Sequence, residues 1–208
     1  MQTIDPSPLV AERQRRTWTA IHDAAASLTL EDGVDGVTVA RIAEAAGVSP
    51  RTFFNYFDSK EDAIVGVRSP QLTDAALATF AEPSGATALM RVARLVTDVA
   101  ATTQGPGVDH VRRRQLAATY PALRSRLVQV FTESRKLVVE RLIDTADPVW
   151  AGAAGLPTDR REARALVLLA GAVVTLAWTT DTDRLLSDRD ATLVDAIATF
   201  RKVCQASL

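Results

Sequence analysis

Apolar residues recur along this chain at helical intervals from end to end. Trp18, Ile21, Ala25 and Leu28 step by three and four, which places them on one face of a helix from about Glu12 to Leu30. Gly33 and Gly36 close it. Thr38 then precedes Val39, Ile42, Ala43 and Ala46, a short amphipathic helix with a hydroxyl cap and Gly47 as its stop. Ser49-Pro50 opens a third helix, since serine caps and proline at the first helical position lacks only an N–H that the helix cannot use. Ser59-x-x-Asp62 has the form of a capping box with Asp in place of Glu and starts a fourth, interrupted or ended by Arg68-Ser69-Pro70.

Longer elements follow the same grammar. Ser84 is placed to cap a helix striped by Leu89, Val92, Val96 and Val99, with Gln104-Gly105-Pro106-Gly107 as its break. Asp109 to Tyr120 forms a short helix, and Pro121 begins a long one with Leu123, Leu127, Val130, Phe131, Leu137, Val138 and Leu142 sharing much of one face. Asp147 to Pro157 reads as a loop. Thr158 then caps a helix that is apolar on nearly all sides from Ala165 to Trp178. Asp181 to Asp190 reads as a polar turn, and Leu193, Ile197, Phe200 and Cys204 stripe the last helix. No segment sustains a period of two, so the fold class is all-α, with about nine helices and no sheet. A helix apolar all round must be covered on most sides. Either it is the core helix of its own domain, or it and the last helix form a homodimer interface, which is the expectation here.

Composition narrows the classes. At 208 residues with 47% hydrophobic and 24% charged positions, the chain is long enough for a sizeable core and is not expected to be disordered. Its single cysteine cannot form an internal disulfide. The first sixteen residues hold acids and prolines where a signal peptide needs an apolar run, and the longest uncharged apolar stretch, Ala165 to Thr180, is sixteen residues. A membrane span needs roughly 20, so a cytoplasmic protein without a membrane partner is expected. Net charge is −1, and residues 1–60 carry six bases against eight acids. Any nucleic-acid partner must therefore be argued from particular positions.

Those positions lie between Thr38 and Lys60, TVARIAEAAGVSPRTFFNYFDSK. Two short helices meet at Ala46-Gly47-Val48, which is helix-turn-helix spacing. In that motif the second helix enters the major groove while the first crosses the backbone. The second helix is expected over Pro50 to Tyr56. Phe53 and Phe57, four apart, pack back onto Ile42, leaving Arg51, Thr52, Asn55 and Tyr56 facing outward. Arginine forks onto guanine, asparagine pairs with adenine, and hydroxyls bind phosphates.

Residues 13–64 resemble the N-terminal domain of the TetR family of bacterial repressors. The matching features are the basic start, the spacing Gly33 to Ala43, the A-G-V-S of Ala46 to Ser49, and Y-F-x-S-K-E from Tyr56 to Glu61. The resemblance implies phosphate contacts from Thr38, Thr52, Tyr56 and Lys60, and base-edge or nearby contacts from Pro50, Arg51 and Asn55. Arg13, Arg15 and Arg16 either contact the backbone or minor groove or are solvated charges. Where the family often has tyrosine this chain has Phe54, which lacks a phosphate-binding hydroxyl. The implied organisation is a flexible arm over residues 1–11, a DNA-binding domain over 12–60, and a helical ligand-binding and dimerisation domain over 61–208. The implied function is a homodimeric repressor released from a palindromic operator on double-stranded DNA by a small-molecule effector.

For the effector pocket the candidates are His110, Arg113, Tyr120, Phe131, Trp150 and Trp178, each of which also reads as core. Five arginines (Arg112, Arg113, Arg114, Arg124, Arg126) lie between His110 and Thr132 without an acid. They form a solvated or ion-paired face, or they meet an anionic effector such as an acyl-coenzyme A. No cofactor is expected. Two histidines and one cysteine leave little for catalysis, and no nucleophile elbow, zinc signature or phosphate loop is present. Asp181, Asp183, Asp188 and Asp190 miss calcium-loop spacing. Cys204 is expected in the core or an interface, and His22 is read as structural. An adaptor with a vestigial helix-turn-helix, or a helical small-molecule enzyme, are the competing readings.

Overall fold

The computed structural model describes residues 8–82, 84–153 and 155–207, so the first seven residues of the expected arm fall outside the described residues. The described chain is helical: α1 (Pro8–Gly36), α2 (Val39–Ala45), α3 (Pro50–Phe54), α4 (Lys60–Val65), α5 (Asp74–Ala81), α6 (Ala88–Ala101), α7 (His110–Thr119), α8 (Pro121–Val138), α9 (Pro148–Gly152), α10 (Arg160–Thr180), α11 (Thr182–Ser187) and α12 (Arg189–Ser207). A π-helical turn, Val139–Asp144, extends α8. Beyond the nine expected helices, α5, α9 and α11 are short additions.

Their origins are local. Asp147 accepts from the Val149 N–H at 2.8 Å and Pro148 opens α9, whose Trp150 is buried, stacked on Phe80, and donates its Nε1–H to the Pro157 carbonyl. Asp181 caps α11 inside the supposed polar turn, and the buried Leu185 anchors it. Two caps differ from expectation. Thr87, not Ser84, caps α6, because Gly85 is a poor residue for a first helical turn. Asp159, not Thr158, caps α10, one residue later.

The chain divides into two compact units. The first comprises residues 1–69 and 103–130, the second 70–102 and 131–208. In the first, Trp18, Ile21 and Ala25 of α1 pack with Ile42 of α2, Phe53 and Phe57 around α3, and Ile64 of α4. Leu116, Leu123 and Val130 of the returning segment complete that core. An isolated antiparallel bridge between Val67 and Gln104, and the Arg68 N–H donating to the Thr103 carbonyl at 2.9 Å, tie the two stretches together. Gly105 lies directly against the Trp18 six-membered ring, where a Cβ would fall inside the envelope of Cζ2, Cη2 and Cε2.

In the second unit α10 packs on α6 and α12 around Val92, Val96, Val99, Val167, Val174 and Leu193. Arg94 grips Asp190 through two hydrogen bonds, and Arg189 pairs with Asp98. Burial raises the Asp98 pKa against the pull of Arg189. With 21 residues, α10 is longer than the uncharged stretch alone indicated, and by length and composition it would reach across a membrane. Here Val167, Ala170, Val173, Val174 and Ala177 are buried in the unit's core. The opposite face leaves Leu168 and Leu169 exposed, so the helix is not covered on all sides within one chain. Cys204 is exposed on α12, so of the two places expected for it the core of its own chain is not the one.

Candidate nucleic-acid interface

Three capping side chains set the geometry of the motif. The Thr38 hydroxyl accepts from the Arg41 N–H at 3.3 Å and starts α2. Ser49 accepts from the Thr52 N–H at 3.0 Å and starts α3. Ser59 accepts from the Asp62 N–H at 3.1 Å and starts α4. Between α2 and α3 the chain reverses through Gly47 at φ +67, a left-handed conformation that L side chains resist. The Val48 N–H donates back to Ala43 at 2.9 Å, and Val48 is half-buried below the turn.

α3 is shorter than expected. It ends at Phe54 with Asn55 as its C-cap, while the Tyr56 and Phe57 N–H groups still bond to the Phe53 carbonyl. Phe53 and Phe57 are wholly buried, and the Phe57 ring lies 5.1 Å from that of Trp18. With that side anchored, Pro50, Arg51 and Asn55 are exposed, as is Thr38, and Thr52 and Tyr56 are half-buried. An open hollow of about 710 Å³ beside α3 is lined by Thr52, Asn55 and Tyr56, by Gln14, Arg15 and Trp18 of α1, and by Arg68 and Pro106. Gln14 is not named in the sequence reading, and Arg68 enters it only as part of a helix break. Gln14 stands four residues before Trp18, which is the one signal that puts it on this side of α1.

Several cations serve the fold. Lys60 donates to the Val34 and Val37 carbonyls at 2.8 and 3.0 Å, and Arg41 to the Gly36 carbonyl and Asp32, both at 2.6 Å. Both satisfy the end of α1, where the last helical carbonyls lack partners. Two of the three ammonium N–H groups of Lys60 are thus engaged. Arg15 and Arg16 both chelate Glu12, whose pKa is held down to about 2 mainly by the Arg15 hydrogen bond.

The basic run of α7 and α8 resolves in part into ion pairs. Arg112 meets Asp23 at 2.7 Å and Arg126 meets the buried Asp62 at 2.6 Å. Arg113 is buried beside His110 Nδ1 at 2.9 Å, and burial pulls its pKa down to about 10. His110, Arg113 and Tyr120 belong to the first unit, where the Tyr120 hydroxyl faces the Thr29 carbonyl at 3.5 Å. Phe131, Trp150 and Trp178 belong to the second, where the rings of Phe131 and Trp178 meet at 5.2 Å while Trp150 stacks on Phe80 instead. Trp150 lines a hollow of about 210 Å³ with Leu142, Ile143 and Ala163. Among the described residues no three His, Cys, Asp or Glu side chains gather closely enough to hold a metal ion.

His22 is buried on α1. Its Nδ1 lies 2.8 Å from the Ala63 carbonyl, so Nδ1 carries the hydrogen and Nε2 is left without a partner among the described residues. Burial lowers its pKa, as expected of a neutral structural histidine.

A capped two-helix reversal that buries two phenylalanines and presents arginine and asparagine outward defines a helix-turn-helix DNA-binding protein. Residues 21–64 match the sequence model described as bacterial regulatory proteins, tetR family. The match makes this stretch similar to the DNA-binding domain of that family, which supports a transcriptional regulator. No curated protein sequence matches it. Among solved structures, Salmonella enterica GusR is 19% identical, covers 93% of this chain and 96% of its own, and superposes with a TM-score of 0.40. The fatty acid degradation regulator FadR from Bacillus halodurans is 21% identical, with 93% and 94% covered and a TM-score of 0.36.

Proposed function

We propose that the protein is a cytoplasmic homodimeric repressor that binds a palindromic operator and is released by a small-molecule effector. The observation that carries the DNA half of this reading is the division of α3 into a buried side, Phe53 and Phe57, and an exposed side, Pro50, Arg51 and Asn55. Arg51 and Asn55 read base edges with Pro50 beside them, and Thr38, Thr52, Tyr56 and the remaining Lys60 N–H hold phosphates. Thr52 shares its hydroxyl with Ser49 at 2.9 Å, which orients it.

Dimerisation is supported by apolar residues that one chain leaves in water: Leu168 and Leu169 on α10, Val194 and Val203 on α12. A two-fold pair places its recognition helices roughly 34–36 Å apart, one helical turn of DNA. The effector acts on the helical part of the chain beyond α4, where its affinity must differ between the two states. With Arg112 and Arg126 tied to Asp23 and Asp62, an anionic effector has fewer cations to meet than the sequence run indicates.

The test is selection of DNA fragments by the purified protein, beside the Arg51→Ala/Asn55→Ala variant. Enrichment of a palindrome by the unsubstituted chain alone supports the reading. Equal enrichment by both proteins overturns the assignment of α3, and no enrichment at low salt overturns the operator. Sedimentation of Leu168→Lys tests the dimer, which that substitution is expected to dissociate.

A further inference from the structure

Phe54 is the one large apolar side chain on the exposed side of α3, and none of the contacts proposed above uses it. It is 58% exposed, although Phe53 and Phe57 already anchor this segment. Three and four residues before it, hence one turn back on the same face, stand Arg51 and Pro50, and Asn55 follows it. All are exposed. Its ring meets the edge of Phe53 at a centroid distance of 5.4 Å and an interplanar angle of 86°, so a buried neighbour braces one side of it. A ring braced on one side has less freedom to lose on binding.

What such a ring can meet in a major groove is restricted. The base edges there present hydrogen-bond donors and acceptors, and one apolar group, the C5-methyl of thymine. Phosphate oxygens offer a phenylalanine nothing, because it has no donor. We infer that Phe54 is a specificity residue that packs on a thymine methyl group in each half-site, beside the base pairs read by Arg51 and Asn55. The inference rests on the proposal that this face of α3 enters the major groove.

The test uses the operator obtained by selection, synthesised with deoxyuridine in place of one thymidine at a time, which removes the methyl group and keeps every hydrogen-bonding atom. Dissociation constants are measured for the unsubstituted protein, Phe54→Ala and Phe54→Leu. One position per half-site is expected to respond, with ~4-fold weaker binding for one half-site and ~15-fold for both, from the transfer free energy of a single buried methyl. Phe54→Ala should bind the thymine and uracil operators equally, and Phe54→Leu should keep part of the difference. Tight binding by the unsubstituted protein with indifference to every replacement overturns the inference, as does a difference that survives in Phe54→Ala. If Arg51→Ala/Asn55→Ala binds as the unsubstituted chain does, the placement of α3 has failed instead. Because the ring is exposed, both variants should melt within about 2 °C of the parent, a small surface effect.

Discussion

Replacing Gly105 by alanine adds one methyl group at the most crowded glycine of the first unit. Considered by its backbone alone the change should stabilise, since alanine restricts the unfolded chain by about 0.4–1 kcal/mol. Packing reverses the sign. The new Cβ falls on Cζ2, Cη2 and Cε2 of Trp18, the body of a rigid ring. That ring cannot step aside, because Phe57 lies 5.1 Å from it on one contact and His22 5.3 Å on another. The backbone at 105 must move instead, straining its N–H bond to the Gly66 carbonyl and the adjoining bridge between Val67 and Gln104. Overpacking of this kind costs about 1–3 kcal/mol. For a unit of this size each kcal/mol shifts the midpoint by ~4–8 °C, so about 2 kcal/mol lowers it by ~8–16 °C. Thermal unfolding followed by circular dichroism and tryptophan fluorescence measures this. Gly47→Ala is the comparison: nothing lies within 4 Å of its Cβ, so only the φ of +67 opposes it, at a cost of about 1–2 kcal/mol and with unchanged tryptophan emission. A Gly105→Ala midpoint at or above the parent's would refute the packing of Trp18 on residue 105.

Three further outcomes are expected. Arg126→Met leaves the Asp62 carboxylate, only 4% exposed, without its guanidinium, and should cost about 3–5 kcal/mol in urea unfolding, much of it recovered by adding Asp62→Asn; a loss below about 1 kcal/mol would show the pair to be dispensable. His22 has a folded pKa below its unfolded value, so its contribution is complete above about pH 6.5 and declines as pH falls, because the unfolded chain takes up the proton first. The slope is at most about 1.4 kcal/mol per pH unit, and His22→Gln should flatten it between pH 7.5 and 5.5. If Lys60 and two of the arm arginines Arg13, Arg15 and Arg16 in each of two subunits neutralise phosphates, the logarithm of the operator affinity should fall with that of salt at a slope near −5; a slope near −2 would mean that Lys60 alone does so and the arm stays off the backbone.

The motif was legible because everything that makes it is local. Thr38, Ser49 and Ser59 cap helices that begin at the next residue, and Gly47 reverses the chain between the first two. The spacing of Phe53 and Phe57 fixes which side of α3 is buried, and the three-four steps of α1 likewise identify Trp18, Ile21 and Ala25 as core. Interactions across long sequence separations were not legible. Nothing near Lys60 indicates that its ammonium closes carbonyls at Val34 and Val37, and no spacing rule pairs Arg126 with Asp62. The basic run seemed unpaired because its acids lie more than sixty residues upstream. Short helices such as α9 and α11 have too few turns to show a period, so the signals were their caps, Asp147 and Asp181, and Pro148 after the first.

The first unit is discontinuous, and that makes the reading head a poor module for cutting and pasting. The family match stops at residue 64, yet Leu116, Leu123 and Val130 belong to the same apolar core as Trp18 and Phe53. A piece severed after residue 69 keeps every side chain proposed to face DNA and loses the floor on which those side chains are mounted. Transplanting this operator preference into another regulator therefore means carrying residues 103–130 along with the motif, or rebuilding their inward face in the recipient. Sequence similarity marks where the protein reads; the boundary of what must travel with it is drawn by the core.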